Sequence, residues 1–280
     1  MTTSIIGTIN AVLQKHGIKD VITDEHITVT DSLVCDFAKP ESYLSELLIE
    51  KLWPRIHRRK VFHFTTQEAA ESIIASRAFR LGNLAKRYGE GELSTFSASH
   101  KLEGYMQRDD KGQPVYRTLL MPNTFYASFT DASLSGGDQE PLWRRFSGGD
   151  GVRLTFDLEA SNPNFRDIRY QAKPGVPIPV LAELSSELMR LHKKHFILSG
   201  ISRLCAFYLP QADFGAEKEC RILYKTWEGV GPQPIGNDSS AYVELPLGTM
   251  SEAGYKLELV EVSSRDKPAM PDDLKFSPRK

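Results

Sequence analysis

The chain has 280 residues, of which 40% are hydrophobic, 25% charged and 10% aromatic, and this composition excludes a disordered, collagen-like or coiled-coil protein. Lysine and arginine total 35 against 36 aspartates and glutamates, so the net charge of −1 disfavours a protein that coats nucleic acid over its whole surface. Three cysteines without a CxxC pair argue against a disulfide framework, and the apolar stretches fall short of the roughly 20 residues of a spanning helix. With no recognisable signal peptide, the sequence predicts a soluble, cytoplasmic protein without a membrane partner.

The first part of the chain predicts mainly helices. Apolar residues at helical spacing predict one helix that ends near Gly17, and a second helix over residues 41–53 that Pro54 interrupts. A short strand is predicted around Ile27 and Val29. We therefore expect residues 1–58 to form a helical accessory segment, followed by a main domain over residues 59–265 and a polar tail over residues 266–280.

A strand over residues 61–64 leads directly into a helix that starts at a capping sequence over residues 65–68. His63 lies between Phe62 and Phe64 near the C-terminal end of this strand, a common location for functional residues. The histidine is either a core residue with backbone hydrogen-bond partners or a donor to the polar edge of a ligand.

Residues 81–122 are polar and glycine-rich, which predicts a long binding or lid loop with one helix around residues 99–108. The next segment, residues 124–129, predicts a strand whose phenylalanines share one face. If that face is the core, Tyr126 and Ser128 face a cleft or solvent; an ordinary amphipathic strand is the alternative.

A short helix is predicted at Trp143, before a Gly-rich turn over residues 148–151 and a strand over residues 152–156. Together with Arg144 and Arg145 this turn could bind phosphate, but it matches neither a P-loop nor GxGxxG, and a simple turn explains it equally well.

A long helix is predicted over residues 181–199 and a strand near residues 204–209. His192 and His195 have a spacing that a helical metal site can use, but no acidic or cysteine partner stands at a supporting position, so we predict no metal. Two late strands complete an α+β fold.

The segment of residues 217–221 is the most informative. On a strand, Glu217, Glu219 and Arg221 share one face while Cys220 enters the core. Neighbouring carboxylates repel, which favours a cleft, although a solvated charged edge is the alternative. The preceding turn carries Phe214 as an exposed aromatic and fits a substrate-facing loop.

Taken in order, four segments resemble a family of largely uncharacterised bacterial domains of unknown function. These segments are residues 61–66, 126–130, 142–156 and 217–221. That family in turn is similar to the ADP-ribosyltransferase fold, a split β-sandwich that holds NAD in a central cleft. The resemblance therefore implies an α+β, ADP-ribosyltransferase-like split β-sandwich with an N-terminal helical extension.

The resemblance also implies roles for individual residues. Glu219 matches the catalytic glutamate, and Glu217 would orient or deprotonate the acceptor. Phe214 would contact the target. NAD would be a substrate, and no metal would be needed. The residues matched to NAD binding are His63, Thr65, Tyr126, Ser128 and Thr130.

By this resemblance the protein would be a mono-ADP-ribosyltransferase that modifies a macromolecule, as a toxin or anti-phage defence effector restrained by an antitoxin partner. RNA or DNA is slightly favoured over protein as acceptor, because residues 55–60 and Arg190, Lys193 and Lys194 are basic. A histidine strand combined with Glu-x-Glu mixes features of different subclasses and leaves the target type open. The alternatives are a non-catalytic module that binds a nucleotide or partner on a degenerate transferase fold, and an NAD glycohydrolase.

Overall fold

The computed structural model describes residues 4–36, 43–84, 96–102, 123–147, 151–170, 176–209, 216–226, 230–237, 240–265 and 268–269, and over these the chain is mixed α+β. Six α-helices have both ends in the described residues: α1 (Ile5–Lys15), α2 (Tyr43–Leu52), α3 (Gln67–Ser76), α4 (Glu140–Ser147), α5 (Pro179–His192) and α6 (Ile201–Ala206). Residues 96–99 are also helical. Its strands are β1 (Thr28–Val29), β2 (Leu33–Cys35), β3 (Arg58–Thr65), β4 (Ala78–Asn83), β5 (Thr124–Asp131), β6 (Val152–Ala160), β7 (Phe165–Asp167), β8 (Arg169–Tyr170), β9 (His195–Ile197), β10 (Tyr208–Leu209), β11 (Glu219–Lys225), β12 (Tyr242–Pro246), β13 (Tyr255–Ser264) and β14 (Pro268–Ala269). Short 3-10 turns lie at Asp24–His26 and Gly137–Gln139.

The chain divides into two compact units, each assembled from three stretches of sequence. The first, here called the N-terminal unit, contains Met1–Pro54, Asn83–Thr124 and Ile168–Ala212. The second, here called the sheet unit, contains Arg55–Gly82, Phe125–Asp167 and Asp213–Lys280. The division differs from the predicted boundary between residues 58 and 59, because two later stretches also belong to the N-terminal unit.

The N-terminal unit is built around α1 and α5. Ser4 caps α1 by accepting a hydrogen bond from the Gly7 amide. The two helices pack together, and the Thr8 hydroxyl lies 2.8 Å from Nε2 of His192. The buried Asp36 carboxylate accepts a hydrogen bond from an amide in the first turn of α2, that of Ser45, at 2.8 Å. Polar side-chain contacts therefore connect α1 with α5, and Asp36 with α2, in addition to the apolar core of this unit.

Two predicted elements of the N-terminal unit are wrong. The predicted helix over residues 181–199 ends at His192, because Lys193 adopts a left-handed φ of 57° and residues 195–197 form β9, which pairs with β2. His192 and His195 therefore do not share a helix. The segment predicted as a strand near residues 204–209 is largely α6, followed by the short β10.

The sheet unit contains a nine-stranded sheet of order β12-β4-β5-β3-β6-β13-β14, in which β11 pairs with β5 and β7. Strand β4 extends into the stretch from residue 81 that the sequence predicts as a loop. Strand β3 is antiparallel to β6 along its whole length. Its register with β5 is much shorter, since only Val61 and Phe62 pair with Asp131 and Thr130. The sheet therefore opens between β3 and β5 beyond Phe62.

The apolar residues of the sheet unit follow the two-residue period of its strands. On β3, Val61 joins the main core cluster, which contains Phe129 of β5, whereas Phe62 and Phe64 pack into a second cluster. The second cluster includes Leu142 and Trp143 of α4, and the Trp143 ring meets the Phe64 ring edge-to-face at 5.0 Å. Both faces of β3 are thus covered, which fixes α4 on the sheet.

No helix among the residues that the structure describes is both long and apolar enough to cross a membrane. Over the same residues, no group of three histidine, cysteine, aspartate or glutamate side chains is arranged to hold a metal ion.

Candidate active site

The first residues of β11 carry a buried ion pair. Glu219 is 9% exposed and Arg221 is 5% exposed, and Arg221 Nε donates to Glu219 Oε1 at 2.7 Å. Cys220 and Ile222 point the other way, into the main core cluster. The predicted alternation is confirmed for these four residues, and a solvated charged edge is excluded. Because buried opposite charges stabilise one another only with close geometry, the pair holds the Glu219 carboxylate in a defined position.

Glu217 lies outside the strand, which corrects the prediction that it shares a face with Glu219. Strand β11 begins at Glu219, and Lys218 before it has a left-handed φ of 44°. The Glu217 carboxylate instead accepts a hydrogen bond from Arg145 Nη1 of α4 at 2.6 Å. Burial raises the pKa of Glu217, and the Arg145 guanidinium partly offsets this effect. The two glutamates therefore have different partners and different environments.

Strand β5 places an aromatic ring beside the buried ion pair. Tyr126 is 4% exposed, and its ring centroid lies 5.3 Å from the guanidinium carbon of Arg221. This geometry is a cation–π contact. Thr130 is also buried and Ser128 is half-buried, so Tyr126 and Thr130 do not face solvent. Tyr126, Arg221 and Glu219 form a contiguous group, here called the glutamate site.

His63 lies where β3 and β5 separate. Its Nδ1 is 3.3 Å from the backbone carbonyl oxygen of Ser128, and a hydrogen on Nδ1 would be donated to that oxygen. The ring meets Phe79 edge-to-face at 5.0 Å and is tilted against Phe129 at 5.8 Å. The half-buried imidazole therefore bridges the two strands at the opening of the sheet, and both of its ring contacts belong to the main core cluster.

The strand register separates His63 from part of the predicted NAD-binding set. Phe62 pairs with Thr130, so these two side chains project from one face and His63 projects from the other. The structure thus brings His63 to the backbone of Ser128 and Tyr126 to the ion pair. Both interpretations of the histidine keep a structural basis, because it contacts core rings and is only half-buried.

Thr65 is the last residue of β3 and lies opposite Val152 of β6. Its carbonyl oxygen approaches Gly151 so closely that a Cβ at Gly151 would collide with it and with Ser147. The Gly-rich turn predicted over residues 148–151 therefore contains at least one glycine that close packing requires. Phe214 and the rest of its predicted target loop, through residue 215, lie outside the described residues.

Arg145 is the residue of this region whose role the sequence does not reveal. From the sequence, Arg145 is predicted to lie on a short helix, with phosphate binding as its only suggested role. In the structure it pairs with Glu217, 72 residues later. The helical period offers a partial signal, since Leu142 and Trp143 must face the core and the next residues must then face outward. The identity of its carboxylate partner depends on tertiary structure.

Several of the basic residues that favoured a nucleic-acid acceptor are engaged in ion pairs or in hydrogen bonds to the backbone. Arg58 pairs with Asp157 at 2.5 Å, and Arg59 pairs with Asp131 at 3.2 Å and also with Asp167. On α5, the guanidinium of Arg190 similarly lies 2.5 Å from Glu187. After the end of α5, the Lys194 ammonium donates to two backbone carbonyls. Internal acids therefore offset the charge of Arg58 and Arg59 on the first predicted basic segment and that of Arg190 on the second.

Comparison with protein-family models, with curated proteins and with solved structures finds no match to this chain.

Proposed function

We propose that the protein is a mono-ADP-ribosyltransferase that cleaves NAD and transfers ADP-ribose to a macromolecule, with RNA or DNA favoured as acceptor. The observation that carries the proposal is the buried Glu219 carboxylate, which Arg221 holds beside Tyr126 at the start of β11. The family resemblance of the sequence supports the same activity, and it alone supports a role as a toxin or defence effector with an antitoxin partner.

A fixed carboxylate suits the bond that this reaction breaks. The nicotinamide–ribose bond would cleave with its electron pair leaving on nicotinamide, and the ribose would develop oxocarbenium character, as in glycoside hydrolysis. Glu219 would accept a hydrogen bond from the ribose 2′-hydroxyl and stabilise this charge more strongly in the transition state than in the ground state. Since Arg221 already fixes the carboxylate, little reorganisation would be needed during the reaction.

Glu217 would serve the acceptor. As the acceptor atom bonds to the ribose carbon, its proton would move to the Glu217 carboxylate, which acts as general base. Burial raises the pKa of Glu217, which strengthens it as a base, while Arg145 favours the ionised form that the step needs. Of the predicted NAD-binding residues, Tyr126 would contact NAD beside the Glu219–Arg221 pair, whereas His63 would lie at the edge of the opening between β3 and β5, on the face opposite Thr130.

Two observations favour a second candidate, a non-catalytic module that binds a nucleotide or partner. Glu219 is already neutralised by Arg221, and a buried ion pair can be purely structural. In addition, the His63 ring lies on the core-facing side of its strand. Such a module would not consume NAD.

The test is incubation of the purified protein and cell extract with NAD labelled in its adenylate half, together with a separate measurement of nicotinamide release. Glu219→Gln is the test variant, because it keeps the side-chain shape and an oxygen that accepts from Arg221. Glu258→Gln is the matched control, since Glu258 is an exposed sheet-unit glutamate paired with Lys256.

We expect nicotinamide release and macromolecular label from the wild type and from Glu258→Gln, and neither from Glu219→Gln. Digestion with protease, ribonuclease or deoxyribonuclease then identifies the acceptor class. Nicotinamide release without label would instead indicate an NAD glycohydrolase, with water as acceptor. If neither signal appears in any extract, the non-catalytic module replaces the proposed activity.

A further inference from the structure

Helix α4 presents three consecutive exposed side chains on a fixed support. Leu142 and Trp143 anchor the helix on β3, which leaves Arg144, Arg145 and Phe146 outside. The two arginine side chains are 74% and 47% exposed, and Phe146 is 44% exposed. These three residues are here called the α4 patch. Phe146 therefore presents an aromatic ring to solvent from a helix whose other face is anchored in the core.

Three arginines cluster at the α4 patch. Arg144 Nε lies 3.0 Å from the Glu140 carboxylate, and Arg265 shares that same carboxylate at 2.5 Å. Arg145 is paired with Glu217. Among the ion pairs of the described residues, the guanidinium groups of Arg144 and Arg265 share the Glu140 carboxylate, and that of Arg145 contacts Glu217. This cluster of exposed arginines favours a ligand that carries negative charge.

The patch also offers a stacking surface and space beside it. The Arg145 guanidinium carbon lies 5.1 Å from the Phe146 ring centroid, a cation–π geometry. An open depression of about 580 Å³ borders the same helix. The depression is lined by Gly137, Glu140, Pro141, Arg144 and Arg145.

We propose that the α4 patch is the docking surface for a single-stranded nucleic acid, which is the acceptor of the reaction. Phosphates would contact the arginines, and a base would stack on Phe146, because every base has an aromatic face and single strands expose it. Arg145 also contacts Glu217, so a strand bound on α4 would lie next to the general base. The docking itself is independent of the chemistry, whereas the acceptor role rests on the proposed transferase activity.

The experiment is a binding titration without NAD, in which the anisotropy of fluorescein-labelled 12-nucleotide RNA, 12-nucleotide DNA and the matching DNA duplex is followed at several salt concentrations. The test variants are Phe146→Ala, Phe146→Trp and Arg144→Gln. Arg80→Gln is the matched control. Arg80 is an exposed arginine of the same unit, pairs with Glu244 and lies 4.4 Å from the Tyr242 ring centroid.

We expect the single strands to bind more tightly than the duplex. Phe146→Ala should weaken binding by about fivefold or more, and Phe146→Trp should restore it. Arg144→Gln should weaken binding and reduce the slope of log affinity against log salt by about 1. Arg80→Gln should bind like the wild type, which would show that loss of any exposed arginine is not sufficient.

Three results would each refute the docking surface, whatever the outcome with NAD. They are absence of binding, equal effects of Arg80→Gln and Arg144→Gln, and equal affinity of Phe146→Ala and the wild type. If the single strands bind through the patch but NAD is not consumed, the docking surface stands and the transferase activity fails. If label from NAD enters protein and the oligonucleotides do not bind, the acceptor is a protein and the inference is wrong.

Discussion

Replacing Arg221 by methionine should strongly destabilise the sheet unit, because Glu219 would keep a buried charge without its close partner. The two residues are 5% and 9% exposed, and the N–O distance is 2.7 Å. Removal of one partner of such a pair costs about 3–5 kcal/mol of the free energy of unfolding. Glu219→Gln also leaves Arg221 without its counter-charge but retains an acceptor for Arg221 Nε, so its cost should be smaller than that of Arg221→Met.

The double variant Glu219→Gln/Arg221→Met removes both charges, and its free energy of unfolding should return to within about 1 kcal/mol of the wild type. The assay is urea unfolding of all four members of the cycle, with hydrogen exchange of β11 peptides to follow the sheet unit specifically. A stable double variant without NAD-dependent activity would show that the ion pair is needed for activity and not for the stability of the fold.

Arg80→Met is the control for the loss of an arginine, because its pair with Glu244 is exposed and should contribute at most about 1 kcal/mol. The reasoning would be refuted if Arg221→Met cost no more than Arg80→Met. It would equally be refuted if the double variant were less stable than Arg221→Met alone, since the two charges would then not compensate one another.

Three further predictions concern packing and protonation. Gly151→Ala should lower the free energy of unfolding by about 1–3 kcal/mol through collision with the Thr65 carbonyl, and an unchanged thermal midpoint would contradict this. Burial lowers the pKa of His100 from 6.5 to about 4. As the pH falls from 6.5 to 4, the imidazole of His100 therefore becomes protonated in the unfolded chain but stays neutral in the folded protein. The free energy of unfolding should therefore fall by up to roughly 3 kcal/mol as pH drops through this window, and His100→Gln should flatten that dependence in urea titrations. Arg145→Gln removes the group that lowers the pKa of Glu217, so the acidic limb of the pH–activity profile should move to higher pH. If the acidic limb does not move, Glu217 is not the general base of the reaction.

Local sequence patterns were sufficient to predict the elements that carry the candidate site. The strand β3, a helix start within residues 65–68, the apolar alternation of β5 and the position of α4 all follow from residue spacing, although the structure places the cap itself at Thr66. The alternation of Glu219 and Cys220 on β11 is equally local. These predictions succeed because side-chain direction within an element depends on its period rather than on distant residues.

Predictions failed where one backbone residue or a distant partner decides the outcome. The apolar pattern continues past His192, but the left-handed Lys193 ends α5 and the chain forms β9. Pairing of Arg58 with Asp157 joins residues far apart in sequence, so the charge of the basic run cannot be judged from the run itself. The opening between β3 and β5 likewise depends on sheet register, which no local pattern contains.

Lys218 shows how a single residue can separate the roles of two neighbouring glutamates. A non-glycine residue at a φ of 44° carries strain of order 1 kcal/mol, and such strain persists only where the surroundings enforce it. The Lys218 carbonyl accepts a hydrogen bond from the Asp131 amide at the end of β5, which ties this conformation to the sheet. Had residues 217–219 continued the strand, both carboxylates would lie on one face and repel each other. The left-handed step instead directs Glu217 to Arg145 and leaves Glu219 with Arg221, so one carboxylate is fixed in the sheet and the other lies beside the exposed α4 patch.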